Sequence, residues 1–443
     1  MQTRTLRRVS RYRWPLAISG ILLISAVFSL PPLMDVATAG SPLSANLRTP
    51  ALYDLFAPIS NVLDALTLLS PAQYAATFAI CVICFVGATC AGQLRTSARL
   101  SIARAARPVA GFLGSTIGVA GIMLIAPRPM ASLELYDHDL IAVDFHSHTE
   151  ASHDGRAGFT AERSREWHRR SGFDAVYVTD HQTFDGALEA EKGNPTLAAE
   201  GTVLLPGVEL RDGDEHLILI GVDPRRMKIS SPDWEGAAVA ADGGPAPPIL
   251  LLSLPGDVLR IPPAETRGPI KLAGIEASDG CPRGLAQAEM QRDSILAISA
   301  RLGVALVSGS DNHGWGRAAP AWSVLRIPGW RKMTPAQLDI AIRQTLLTRG
   351  ARAVQVLARR TAAPPHNAMQ GVLGGLSVGL VMARTMSSTN RVSWVAWSWV
   401  LCLVSLRRAR TKRNRTRASA NARPRKRSRT PPMDVAAAIS RAS

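Results

Sequence analysis

The sequence predicts an α/β protein whose middle forms a barrel of parallel strands, flanked on both sides by transmembrane α-helices. Three observations predict it. Between about Ala131 and Ala363, seven short apolar runs alternate with helical ones, the pattern of a parallel sheet. Outside that region lie nearly uncharged apolar segments of about 18 residues, enough to cross about 27 Å as helices. Histidines and carboxylates also gather at the ends of the apolar runs, where a barrel presents its chemistry.

The bulk numbers agree with a segregated chain. Of 443 residues, 47% are hydrophobic and 19% charged, and the two kinds occupy different stretches. The net charge of +17 is local, because residues 407–429 hold twelve Arg and Lys and no acid. A nucleic-acid-binding body is therefore not implied. Five cysteines, four of them in apolar runs, give no disulfide framework.

Residues 1–130 read as a membrane section. Arg4, Arg7, Arg8, Arg11 and Arg13 precede an apolar run over 14–34, which we read as an uncleaved span. The alternative is a signal peptide, for which Ala37-Thr38-Ala39 would be the small-residue cleavage site. Residues 51–67 carry Leu52, Leu55, Phe56, Ile59, Val62, Leu63 and Leu66 at helical spacing, an amphipathic helix at the interface or against its neighbours. Further spans are predicted near 74–92 and 109–126. Arg95, Arg99, Arg104 and Arg107 lie between them without an acid. This loop and the basic N-terminus both belong in the cytoplasm, which places residues after Ala126 on the outer face. At the other end, 364–406 holds two apolar runs, Ala368–Ala383 and Val392–Leu406, giving one or two spans. If only one spans, the tail is cytoplasmic. Residues 407–443 read as a basic, disordered tail that faces anionic lipid; it has no aromatics to stack bases.

The middle domain, 131–363, supplies the strands: Leu140–Phe145, Ala175–Thr179, Val203–Pro206, Leu217–Val222, Ile249–Ser253, Leu272–Ile275 and Ala305–Ser308. Ala161–Arg170 and Ala286–Leu302 read as helices between them. Seven strands in this length suit a barrel better than an open sheet.

The chemistry begins at His146-Ser147-His148. A strand's period of two sends both imidazoles to one side, about 7 Å apart, where they can share a metal. The second strand ends in Thr179-Asp180-His181 and the third in Gly207-Val208-Glu209. Asp214-Glu215-His216 opens the fourth. The sixth ends in Glu276, with Asp279 close behind, and the seventh in Gly309-Ser310-Asp311-Asn312-His313-Gly314. Singly, each is an ordinary cap or surface histidine. Together they predict a metal site, and mixed imidazole and carboxylate donors suit Zn, Mn or Fe as divalent ions.

These motifs resemble the PHP (polymerase and histidinol phosphatase) domain family of metal-dependent phosphoesterases. His146-x-His148-Thr149-x-x-Ser152 followed by Asp154-Gly155 is similar to its first motif. Val178-Thr179-Asp180-His181, Gly207-Val208-Glu209 and Gly309–Gly314 are similar to later ones. The resemblance covers 140–330. It implies a distorted (β/α)7 TIM-like barrel with two or three metals at its carboxyl end. It also implies that His146, His148, Glu209 and Asp311 hold one metal. Asp154, His181 and His313 would hold another, with His153 an alternative to Asp154. A third would use Glu209, His216 and a strand-five histidine, but Leu254 stands at that place, leaving Glu276 or Asp279 as substitutes.

The chemistry so implied is phosphate-ester hydrolysis by a metal-activated hydroxide. Asp180 would orient His181 through its second ring nitrogen or shuttle a proton. Arg317 and Arg283 are the leading phosphate contacts, with Arg156 a third candidate, and Trp315 and Trp322 would form a substrate wall or pack in the core. The expected partners are a phosphate-ester substrate and the lipid bilayer, with no nucleic acid, in a multi-pass protein of the cell membrane. Two alternatives remain: a PHP-like metal-binding sensor or scaffold with reduced catalysis, motivated by Leu254, and an amidohydrolase-like hydrolase.

Overall fold

The computed structural model of the chain describes residues 12–97, 101–212, 215–227, 246–253, 266–267, 270–316, 318–363 and 368–421. Arg317, Leu254 and the tail beyond residue 421 lie outside the described residues. In chain order the elements are α1 (Arg13–Val27), β1 (Leu33–Asp35), β2 (Ala45–Arg48), α2 (Ala51–Leu55), α3 (Ala57–Thr67), α4 (Pro71–Ser97) and α5 (Ile102–Ile125). Then come β3 (Ser132–Leu135), β4 (Leu140–Ser147), α6 (Ala161–Ser171), β5 (Ala175–Val178), α7 (Asp185–Lys192), β6 (Val203–Asp212), β7 (Glu215–Ile220) and β8 (Ile249–Leu252). The last are β9 (Thr266–Arg267), β10 (Ile270–Asp279), α8 (Pro282–Met290), α9 (Arg292–Leu302), β11 (Ala305–Gly309), β12 (Ala321–Arg326), α10 (Pro335–Arg349), β13 (Val354–Arg359), α11 (Ala368–Thr385) and α12 (Ser388–Asn421).

All seven expected strands are present, but the sheet is mixed rather than parallel. Its order is β1-β13-β12-β4-β5-β6-β7-β8-β10-β11, with β9 pairing β10. β4–β5–β6 and β8–β10–β11 pair in parallel; β6–β7, β7–β8, β12–β4 and β12–β13 are antiparallel. For β6–β7 the reason is connection length. β6 and β7 extend beyond the expected runs until only residues 213 and 214 separate them, too few for the crossover that parallel pairing needs. The result is a mixed α/β fold with a curled, half-barrel sheet of ten strands. The curl brings β11 back to the carboxyl end of β4, where Ser147 and Asn312 form a parallel bridge and Asp311 N–H donates to His146 O (2.9 Å).

Both faces of the sheet are covered, which explains the continuous apolar runs. Ala142, Val176, Leu204 and Leu250 face one apolar core with Ile295 and Ile298 of α9. Ile141, Val143, Phe145 and Tyr177 face a second with Leu338, Ile342 and Leu346 of α10. The sequence reading missed α10, although a capping box between Thr334 and Gln337 starts it.

The membrane-directed segments differ from expectation in detail. The run over 14–34 is a helix only to Val27; Pro31-Pro32 cannot continue it, and Leu33–Asp35 pairs with β13. The helix expected over 51–67 breaks at Phe56 into α2 and α3, with Pro58 in the first turn of the second, a position that starts a helix. Among the described residues, Pro71–Arg95 and Ile102–Met123 are long and apolar enough to cross a membrane. α12 continues to Asn421, so the first part of the basic tail is helical rather than irregular. Chain contacts divide the molecule into two units, Ile21–Trp394 and a smaller one of residues 1–20 with 395–443. Within the smaller unit the rings of Tyr12 and Trp399 lie 5.9 Å apart.

Candidate metal centre

The junction of β11 with β4 assembles the site. Asp144, fully buried on β4, organises it. Its Oδ1 accepts from the backbone N–H of Ser310 (2.9 Å) and of His146 (3.1 Å). Its Oδ2 faces His168 Nε2 on α6 at 2.9 Å, while His168 Nδ1 lies 2.7 Å from Ser164 O. One carboxylate thus ties the first-strand and last-strand segments to a helix. Two non-glycine residues in the left-handed region stand here, Asp311 (φ 44°) and Gln182 (φ 53°), the second directly after His181. Such conformations persist only where surrounding structure imposes them, and they gather at functional sites.

Glu209 lies at the centre, buried to 2% exposure. Its Oε2 is 3.1 Å from His146 Nε2, 3.3 Å from His148 Nε2 and 3.2 Å from His181 Nδ1. Its Oε1 is 2.5 Å from Nδ1 of His216. Asp311 Oδ1 lies 3.3 Å from His148 Nε2 and 3.7 Å from His146 Nε2. On the outer side, Asp154 is 3.1 Å from His313 Nε2 and 3.5 Å from His181 Nε2. All eight residues expected as ligands therefore converge. Ligand atoms of His146, His148 and Glu209 fall within 4.8 Å of one another, as do those of His148, His181 and His313, and of His181, Glu209 and His216. His153, exposed, joins Asp154 and His181 in a similar group.

The donors fit a cation better than they fit each other. His148 Nε2 faces His146 Nε2 (3.0 Å) and two carboxylate oxygens at once, yet one ring nitrogen carries at most one proton. His148 Nδ1 and His313 Nε2 are buried without a hydrogen bond, the second despite its approach to Asp154. Electrostatics agree. Burial opposes a charged His146, but Glu209 and Glu276 outweigh it and raise its pKa well above the usual value. Burial likewise opposes ionisation of Glu209, yet His146 and its imidazole neighbours hold it well below the carboxylate range. His181 is pushed down to about 4, chiefly by burial, so it offers a neutral nitrogen at pH 7.

Four further expectations meet the structure here. Asp180 does not orient His181: both His181 nitrogens face Glu209 and Asp154, and the Asp180 carboxylate accepts from Thr149 N–H (2.6 Å) and Oγ1 (2.8 Å). Its pKa is raised by burial. Arg283 is exposed in the first turn of α8. Trp322 is fully buried and donates Nε1–H to Ser171 O (2.9 Å), which makes it core rather than a substrate wall. Arg156 lies closest to the rim: its N–H donates to His313 O, and its guanidinium reaches Gly314 O (3.2 Å) and stands 5.8 Å over the half-exposed Trp315 ring.

The sequence reading missed two supporting groups. Glu276, considered only as a spare ligand, faces the other nitrogen of His146 (Nδ1, 3.3 Å) and accepts from Ser253 Oγ (2.9 Å). It is placed to set that ring's tautomer. The Asp144–His168 pair gave no local signal, because one histidine on a polar helix looks like surface.

No family profile and no curated protein matches the sequence. Among solved structures, the chain is similar to PsfC from Pseudomonas syringae PB-5123 (TM-score 0.34, 15% identity, covering 56% of this chain and 99% of that one). It is also similar to a protein from Bifidobacterium adolescentis assigned as a metal-dependent phosphoesterase (TM-score 0.29, 21% identity, 47% and 96%). A third is the lesion-specific endonuclease PfuEndoQ from Pyrococcus furiosus (TM-score 0.35, 15% identity, 48% and 57%).

Proposed function

We propose that the chain is a membrane-anchored, metal-dependent phosphoesterase of PHP type, held in the bilayer by α4 and α5 with its hydrolase domain on the outer face. The observation that carries the reading is Glu209, one buried carboxylate facing four imidazoles. His146, His148, Asp311 and Glu209 would hold one divalent metal; Asp154, His181 and His313 would hold a second. Bound metals would lower the pKa of water towards neutrality and neutralise charge on a phosphoryl group. Glu276 fixes His146 so that Nε2 faces inward. His181 and His313, both held neutral by burial, present lone pairs without first losing a proton. Arg156, beside Trp315 at the rim, is the described arginine best placed to receive a phosphate oxygen; Arg317 and Arg283 remain candidates from the sequence.

The test uses purified full-length protein in detergent. Metal content is measured by mass spectrometry, and hydrolysis is assayed on p-nitrophenyl phosphate, bis-p-nitrophenyl phosphate and a DNA oligonucleotide with Mn²⁺ or Zn²⁺. Two or three metals and turnover of at least one ester are expected. Asp311→Ala/His313→Ala should lose metal and about 100-fold or more in rate. Bound metal with no turnover on any substrate would overturn the enzymatic reading, and absence of metal would overturn the site.

A further inference from the structure

A second cavity, of about 600 Å³, opens between residues 29–32, α3, β13 and the end of α11. None of the metal-site residues lines it. Its floor is Asp64, 1% exposed, which accepts from Tyr53 Oη (3.0 Å) and pairs with Arg359 (2.9 Å) and with Arg128 behind it. Two guanidiniums, 10% and 13% exposed, thus share one carboxylate, leaving a positive charge in excess in a largely enclosed place. Arg360 and Arg391 line the same cavity. Arg391 gives Nη2 to Ala383 O and Arg384 O (3.3 and 3.1 Å), and its Nε is buried without a partner. The remaining lining is mixed: Leu30, Leu47, Leu68, Leu69, Val378 and Met382 form an apolar wall, and Asn46, Asn61, Thr385 and Asn390 are among its polar members.

We propose that this cavity binds an anionic lipid, with its phosphate on Arg359, Arg360 and Arg391 and an acyl chain along the apolar wall. Guanidiniums match phosphate oxygens in geometry as well as charge. A free inorganic anion would use the arginines and leave the apolar wall unexplained. The surroundings point to a bilayer source. Leu23, Ile24, Val27 and Phe28 on one side, and Leu52, Leu55, Phe56 and Ile59 on the other, are exposed. α3 meanwhile buries its polar residues Ser60, Asn61, Asp64 and Thr67, the reverse of a soluble helix.

The test is native mass spectrometry of the full-length protein in detergent with dioleoyl phosphatidylglycerol, dioleoyl phosphatidylcholine or glycerol 3-phosphate. Retention of one phosphatidylglycerol is expected, with phosphatidylcholine at least tenfold weaker and glycerol 3-phosphate unable to displace the lipid. Arg391→Gln and Arg360→Gln should each weaken binding about tenfold while leaving metal content and ester hydrolysis unchanged. If Arg391→Gln fails to fold, Arg360→Gln carries the test. Equal affinity for the two lipids, displacement by glycerol 3-phosphate, or unaltered binding in a folded variant would overturn the proposal, whatever the outcome at the metal site.

Discussion

Asp144 makes the sharpest prediction, because it touches no expected metal yet holds both halves of the site. Removing its carboxylate in Asp144→Ala strands the N–H groups of Ser310 and His146 and leaves His168 facing a void. Each hydrogen bond to a carboxylate is worth about 1.5–3 kcal/mol, so the two backbone bonds alone are worth about 3–6 kcal/mol. At about 2–4 °C per kcal/mol for a domain of this size, the melting temperature should fall by about 6–24 °C. Metal affinity should fall about 10–100-fold, the usual cost of losing a group that orients ligands. Asp144→Asn separates geometry from charge. Its carbonyl still accepts from Ser310 and His146, and its amide can donate to His168 Nε2 while Nδ1–H donates to Ser164 O. It should therefore keep most of the stability and metal affinity. Thermal melts and metal titration of both variants decide the matter. An Asp144→Ala protein melting within 2 °C of the parent with unchanged affinity would refute the reasoning, as would equal damage in Asp144→Asn.

Two other predictions follow from the same site. A methyl group added at Gly309 would overlap Glu276 Oε1 and the Cβ of His146, so Gly309→Ala should destabilise by about 1–3 kcal/mol and lower metal content; a normal melt with full metal would contradict the packing described. For pH, burial opposes a charged His148, but Asp311 and Glu209 prevail and raise its pKa to about 9 in the metal-free protein. The stability this contributes is fully present below about pH 6.5 and is lost as pH rises through 9. EDTA-treated protein should melt progressively lower between those values, while saturating Mn²⁺, which needs neutral imidazole, should flatten or reverse the trend. A pH-independent melt of metal-free protein would count against the arrangement.

Seven strands were legible because burial on both faces makes them unbroken apolar runs; β12, with five of its six residues buried, was not anticipated. Their pairing was not, since antiparallel β12–β4 contact is non-local and leaves no mark on either segment. β13 escaped because only Val356 and Leu357 of its six residues are buried. Within the site, His146, His148, Glu209 and Asp311 could be read from spacing at strand ends. The roles of Asp144 and Glu276 depend on which side chain meets which ring, and no local pattern encodes that. Asp180 shows the opposite failure: adjacency to His181 suggested a partnership, but the chain directs its carboxylate to Thr149.

The return of β11 to β4 also bears on how the protein matures. Ser310 meets Asp144 across a separation of 166 residues, so the ligand shell cannot close until nearly the whole domain has been synthesised and threaded into place. Closing so long a loop is entropically unfavourable and slow, and Asp311 and His313, which complete the two expected ligand sets, arrive only when it closes. Metal loading should thus be a late event that reports completed folding. A bound ion would then act as a clasp, slowing the separation of the first and last strands and making the finished protein kinetically resistant to unfolding.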